Sequence, residues 1–111
     1  MSIGLTLVVL RCADVQASRT FYEALGLAFV EEQHGDGPVH YAATLGGTVL
    51  ELYPARDRPS SPGRLGFAVD DVQGSLRAAR AAGGQVRASS GPDRVVVEDP
   101  DGVPVELTES P

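Results

Sequence analysis

The chain has 111 residues, of which 42% are hydrophobic, and this content suffices for one core in a single domain spanning residues 1–111. Its net charge of -6 argues against nucleic acid or an anionic membrane as a partner, because both require a basic patch. The long apolar run at residues 5–10 is too short to span a bilayer, and no basic segment precedes it. We therefore expect a cytoplasmic protein, with no nucleic-acid or membrane partner, that binds a small organic molecule.

The first half of the chain shows the pattern of one strand, one helix and three further strands. A strand is predicted over residues 4–12, and Asp14 follows as the N-cap of a helix that ends at Gly26. The helix presents an apolar stripe of Val15, Phe21, Ala24 and Leu25. Three short strands are predicted next, over residues 28–32, 39–45 and 48–53.

The second half repeats this order of elements and also part of the sequence. Asp14-Val15-Gln16 recurs as Asp71-Val72-Gln73, and Gly47, Glu51 and Leu52 recur as Gly102, Glu106 and Leu107. The pattern predicts a strand over 64–69, a helix from Asp71 to Gly83, and strands over 85–88, 94–98 and 103–108. Two such units bury their apolar faces against each other. We predict an α+β fold of two tandem βαβββ repeats forming an open, curled mixed sheet, with the functional cavity between the halves.

Two local features complete the organisation of the chain. Residues 54–63 include three prolines and three charged residues, which is typical of a linker, so we place the halves at about 1–55 and 63–111. Cys12 is the single cysteine and forms no internal disulfide. Because it alternates with Val8 and Leu10 on one strand face, we interpret it as a buried, inert thiol.

Several motifs along the chain match a known superfamily. They are Asp14-Val15, Phe21-Tyr22, Leu25-Gly26-Leu27, Leu50-Glu51-Leu52, Phe67-Ala68-Val69-Asp70-Asp71, Asp99-Pro100-Asp101-Gly102 and Val105-Glu106-Leu107. With these motifs, nearly the whole chain resembles the vicinal oxygen chelate superfamily, which includes glyoxalase I, extradiol dioxygenases, fosfomycin-resistance enzymes and bleomycin-resistance proteins. The resemblance implies a homodimer, formed edge to edge or by exchange of halves. It also implies that a divalent metal, in members that use one, lies on four side chains inside the fold.

The four metal positions implied by the resemblance correspond here to Leu7, Glu51, Arg64 and Glu106. Strand alternation supports two of them independently, because each glutamate lies between apolar residues that must face the helices. Leucine offers no lone pair, and a guanidinium has no acceptor and stays charged. The residual ligands are therefore Glu51 and Glu106, and we expect Arg64 to form ion pairs with both in place of a metal.

Other side chains on the same strand faces are weaker candidates. Tyr53 shares the strand face of Glu51, and His40 is a possible substitute ligand or acid–base group. Together with the four metal positions they complete the predicted ligand pocket. His34 is expected in an exposed loop, and Tyr22 is expected to serve in packing.

Three functions are compatible with these residues. The first is a metal-free binding protein of the bleomycin-resistance type, which requires no cofactor. The second is a lyase, isomerase or dioxygenase resembling glyoxalase I, with one divalent metal on Glu51 and Glu106, or with Glu106 as a base without a metal. The third is a partner subunit without turnover. The sequence does not decide whether the ligand carries a positive or a negative charge.

Overall fold

The computed structural model describes residues 5–56 and 64–109. Along the chain the elements are β1 (Leu7–Cys12), α1 (Val15–Ala24), β2 (Val30–Glu32), β3 (His40–Leu45), β4 (Thr48–Pro54), β5 (Leu65–Val69), α2 (Val72–Ala81), β6 (Gln85–Ser89), β7 (Arg94–Glu98) and β8 (Pro104–Glu109). The βαβββ order therefore occurs twice, and the predicted α+β fold is confirmed. Most of the predicted linker, residues 57–63, and the predicted strand start at residue 4 lie outside the described residues.

Each half forms its own four-stranded mixed sheet. The strand orders are β1-β4-β3-β2 and β5-β8-β7-β6, with the outer strand β1 or β5 parallel to its neighbour and the remaining pairs antiparallel. The registers of the two sheets correspond, because Tyr41 pairs with Leu52 in the first and Val95 with Leu107 in the second. His40, which precedes Tyr41, and Arg94, which precedes Val95, therefore occupy equivalent positions in the two halves. The sequence predicted a longer second strand, over 28–32, than the three residues of β2.

The helices begin after the predicted N-caps and end at Ala24 and Ala81, two residues before the predicted glycines. The Asp14 carboxylate accepts from the amides of Gln16 and Ala17, both at 3.1 Å, and the Asp71 carboxylate accepts from Gly74 at 3.0 Å. These bonds satisfy amides of the first turn, which have no partner within the helix. Past the other end, Gly26 has φ 109° and Gly83 has φ 99°, which are left-handed conformations that glycine adopts without strain.

One hydrophobic core joins both halves. The inner face of each sheet packs on its helix, and the two helices contact each other. The buried residues are Leu10, Cys12, Phe21, Tyr22, Leu50, Leu52, Val72, Ala79, Val95, Val97, Val105 and Leu107, among others. No helix in the described part of the chain is long and apolar enough to cross a membrane.

Polar contacts at the turn between β7 and β8 also join the halves. The buried Tyr22 hydroxyl donates to Asp99 at 2.7 Å, and Asp101 accepts from the amide of Ala13 at 2.9 Å and the hydroxyl of Ser18 at 3.2 Å. The sequence predicted this segment only as a turn and Tyr22 only as a packing residue. The β7–β8 turn thus connects the two halves. Each helix covers only one face of its sheet, and the opposite face of each sheet is not covered by a helix.

Candidate functional site

The candidate residues occupy the face of each sheet that points away from the helices, which we call the open face. Leu50 and Leu52 are 3% and 0% exposed against the helix, and Glu51 between them points to the opposite side. Glu106 has the same position between the buried Val105 and Leu107. The alternation argument thus assigns both glutamates to open faces, and these faces belong to two different sheets.

On the open face of the first sheet, His40 is the centre of a polar group. Its Nε2 atom lies 3.2 Å from Glu32, 3.3 Å from the Tyr53 hydroxyl and 4.0 Å from Glu51. The Tyr53 ring stacks on the imidazole, with centroids 4.1 Å apart and planes 9° apart. As a result His40 is only 1% exposed, although it lies on the open face. His34 is exposed, as predicted, but its ring lies close to His40, at 5.1 Å between centroids.

On the open face of the second sheet, two arginines surround the equivalent glutamate. The Arg94 guanidinium donates to Glu106 at 2.5 Å, and Arg64 lies 3.6 Å from the same oxygen. The pairing of Arg64 with Glu106 therefore has the geometry that the sequence predicts. The expected second pair, Arg64 with Glu51, does not occur among the ion pairs of the described residues, where Glu51 lies 4.0 Å from His40 Nε2.

The four positions that the resemblance assigns to a metal do not fit a divalent ion. Leu7 has no donor atom and is 50% exposed. Arg64 brings a positive charge next to Glu106, and Arg94 brings a second. No contact among the described residues joins Glu51 to Glu106. A divalent cation placed at these positions would meet the Glu106 carboxylate, which two guanidiniums already neutralise. It would also meet the aliphatic side chain of Leu7, which cannot bind it.

A cleft of about 360 Å³ lies between the two halves, beside the β3–β4 turn. Its described lining consists of Leu5, Val8, Leu45, Thr48, Leu50, Arg64, Leu65, Gly66 and Phe67. The cleft is mostly apolar, with one charged residue and no acidic residue in the described lining. Of the six predicted pocket residues, Arg64 lines this cleft. The other five, namely Leu7, His40, Glu51, Tyr53 and Glu106, lie on the open faces.

Sequence reasoning missed two members of these groups. Arg94 is predictable from the repeat, because it occupies the position of His40 in the second half. Glu32 lies opposite His40 in the β2–β3 register, and a short edge strand gives little sequence signal for that pairing. The interpretation of Cys12 agrees with its environment, since the residue is 1% exposed and burial raises the pKa of its thiol to about 11.

Comparisons with known proteins agree with this architecture. The family model of the Glyoxalase/Bleomycin resistance protein/Dioxygenase superfamily matches residues 4–107. Among solved structures, glyoxalase I from Leishmania major is similar with a TM-score of 0.76 at 23% identity, covering 97% of this chain and 87% of that one. An antibiotic-binding protein from Streptomyces sp. CB03234 is similar with a TM-score of 0.70 at 23% identity, covering 100% and 99%.

A third similar structure is a glyoxalase/bleomycin resistance protein from Albidiferax ferrireducens, with a TM-score of 0.74 at 22% identity, covering 96% of this chain and 98% of that one. Curated proteins give no match. At these identities the structures show a shared fold. From the match over residues 4–107 it follows that the chain belongs to the Glyoxalase/Bleomycin resistance protein/Dioxygenase superfamily.

Proposed function

We propose that this protein binds a small organic molecule in the cleft between its halves, without a metal at the four superfamily positions. The observation that carries the proposal is the pair of guanidiniums on Glu106, at 2.5 Å and 3.6 Å. These guanidiniums supply the positive charge that a metal would otherwise supply. Glu106 is therefore not free to bind a metal together with Glu51. The similar Streptomyces structure, an antibiotic-binding protein, supports ligand binding as a use of this fold.

The cleft favours a ligand with an apolar body and an acidic group. Its walls include Val8, Leu50 and Phe67, which would bury the apolar part, and its volume lies in the range usual for small-molecule sites. Arg64 is the charged residue of the described lining. Because Glu106 has a closer partner in Arg94, Arg64 is able to turn toward a ligand carboxylate without leaving Glu106 unpaired.

Several earlier expectations stay predictions within this proposal. Glu106 as a base is one, and its two arginine partners favour an anchoring role instead. The homodimer and the cytoplasmic location are others. A light-scattering mass equal to one chain at micromolar concentration would contradict the homodimer.

The test is a ligand screen by thermal shift on protein kept in a chelator, comparing apolar carboxylic acids with their neutral amides. A bound acid raises the melting temperature in proportion to the logarithm of its concentration. The variant Arg64→Gln should weaken binding at least about tenfold, equivalent to about 1.4 kcal/mol. Arg87→Gln is the matched control, because Arg87 is equally exposed at 53%, lies in the same half of the chain and is outside the cleft lining.

Two outcomes would overturn the proposal. One is the absence of any saturable ligand in the chelated protein. The other is a stoichiometric metal whose binding is lost in both Glu51→Gln and Glu106→Gln, because that metal would occupy the superfamily positions. Tight metal binding of this kind would make lyase, isomerase and dioxygenase assays the next step.

A further inference from the structure

We propose that the first half contains a transition-metal site formed by Glu32, His34 and His40, none of which is a superfamily position. One ligand atom from each of these residues lies within 4.8 Å of the other two. The site would take an ion that prefers imidazole and carboxylate ligands, of the class of Zn²⁺. It is independent of the proposed organic-ligand cleft, whose described lining includes none of the three residues.

The ligand spacing is close to what such an ion requires. Zinc bonds of about 2.0–2.1 Å in a tetrahedral arrangement separate the ligand atoms by about 3.3 Å. His40 Nε2 and Glu32 Oε1 are 3.2 Å apart, and His34 Nε2 is 3.9 Å from the same oxygen. The His34 side chain is 76% exposed and able to close the remaining gap without disturbing the core. Glu51, at 4.0 Å from His40 Nε2, is placed to supply a fourth ligand.

The surroundings of His40 hold its ring in the orientation that a ligand needs. Its Nδ1 atom lies 3.2 Å from the Pro38 carbonyl, which accepts a hydrogen bond from the protonated nitrogen. In the neutral imidazole this places the lone pair on Nε2, directed at the Glu32 carboxylate. The Tyr53 hydroxyl, at 3.3 Å, is able to donate to this lone pair, and a metal ion between Nε2 and the carboxylate would bind both. The stacked Tyr53 ring further restricts the imidazole.

The second half provides an internal comparison. Its equivalent of His40 is Arg94, which has no lone pair and neutralises Glu106 directly. Both histidines of the chain lie in the first half, and among the described contacts His40 lies beside the carboxylates of Glu32 and Glu51. The second half therefore has no imidazole to place beside its glutamate.

The experiment is a calorimetric titration of Zn²⁺ alone into chelator-treated protein without a polyhistidine tag. We expect one ion per chain, and at least tenfold weaker binding in both Glu32→Gln and His34→Ala. His34 is exposed, so its variant tests the site without a risk to folding. Glu31→Gln is the matched control, because the neighbouring residue of β2 points to the other face of the sheet, and Glu106→Gln controls for the superfamily site.

Three results would overturn the inference. They are the absence of one-to-one Zn²⁺ binding, affinities that Glu32→Gln and His34→Ala leave unchanged, and equally tight binding of Mg²⁺ or Ca²⁺, which would indicate a general acidic surface. A fourth result, zinc binding that Glu106→Gln abolishes, would identify the superfamily site and overturn both this inference and the proposed function. Zinc binding that survives Glu106→Gln and is weakened by the site variants supports this inference alone.

Discussion

Replacing Tyr22 by phenylalanine tests the polar connection between the halves. The hydroxyl donates to Asp99 Oδ2 at 2.7 Å, and the two residues are 0% and 5% exposed. The other carboxylate oxygen already accepts from the amides of Asp101 and Val103, at 2.8 and 2.9 Å. The variant Y22F thus removes the donor to Oδ2 while the remaining bonds persist. A hydrogen bond to a charged acceptor contributes about 1.5–3 kcal/mol, so we expect the free energy of unfolding to fall by about 2 kcal/mol at neutral pH.

The effect should depend on pH in a defined direction. Burial raises the pKa of Asp99, and the Tyr22 hydrogen bond opposes that rise. A carboxyl with a raised pKa binds more protons in the folded state. Its contribution to stability is therefore full below the ordinary value of about 3.9 and is lost as the pH rises through the folded-state pKa. Removal of the hydroxyl raises that pKa further. Y22F should consequently destabilise the protein most at neutral pH and less as the pH falls toward about 4.

The assay is urea unfolding followed by circular dichroism, at several pH values between about 4 and 7. Tyr53→Phe is the matched control, because its hydroxyl lies on a partly exposed face, 3.3 Å from His40. A double-mutant cycle with Asp99→Asn measures the coupling of Tyr22 to Asp99. A loss below about 0.5 kcal/mol, or a loss that is constant across the pH range, would refute the reasoning.

Two further predictions concern the core. Gly84→Ala should lower the free energy of unfolding by about 1–3 kcal/mol, because a methyl group there would lie 2.6 Å from the Phe21 ring and 2.9 Å from Val97. The control in the same urea titration is Gly47→Ala, where a methyl group would have no atom within 4 Å. Cys12, with its thiol buried and its pKa raised to about 11, should react with iodoacetamide only after unfolding, as followed by mass spectrometry, and rapid modification of the folded protein would contradict this.

The repeat made the fold predictable, because each half contributed the same strand and helix signals at matching positions. Asp14 and Asp71 marked the helix starts, and the predicted caps are confirmed by the contacts of their carboxylates. Boundaries were less accurate at β2, where the hydrophobic pattern extends two residues before the pairing with β3 begins. Pattern alone does not determine where an edge strand starts to pair.

The candidate site was harder to predict, because alternation assigns a side chain to a face and does not identify its neighbours. It placed Glu51 and Glu106 on open faces, as found. It did not show that those faces belong to separate sheets, and this is why Arg64 reaches one glutamate only. The partnership of Tyr22 with Asp99 crosses between the halves and depends on how the helices pack, which no local pattern encodes.

Divergence at equivalent positions gives the two open faces different side-chain chemistry. Both halves retain the glutamate on the last strand, and the neighbouring strand places one basic residue beside it, His40 in the first half and Arg94 in the second. A neutral imidazole is able to bind a metal ion together with a carboxylate. A guanidinium has no lone pair and neutralises the carboxylate itself. The same backbone therefore carries the proposed metal ligands on one sheet and an ion-pair network on the other. Because Glu106 would keep Arg94 as a partner, the proposed function requires only that Arg64 turn from its contact with Glu106 toward a ligand in the cleft.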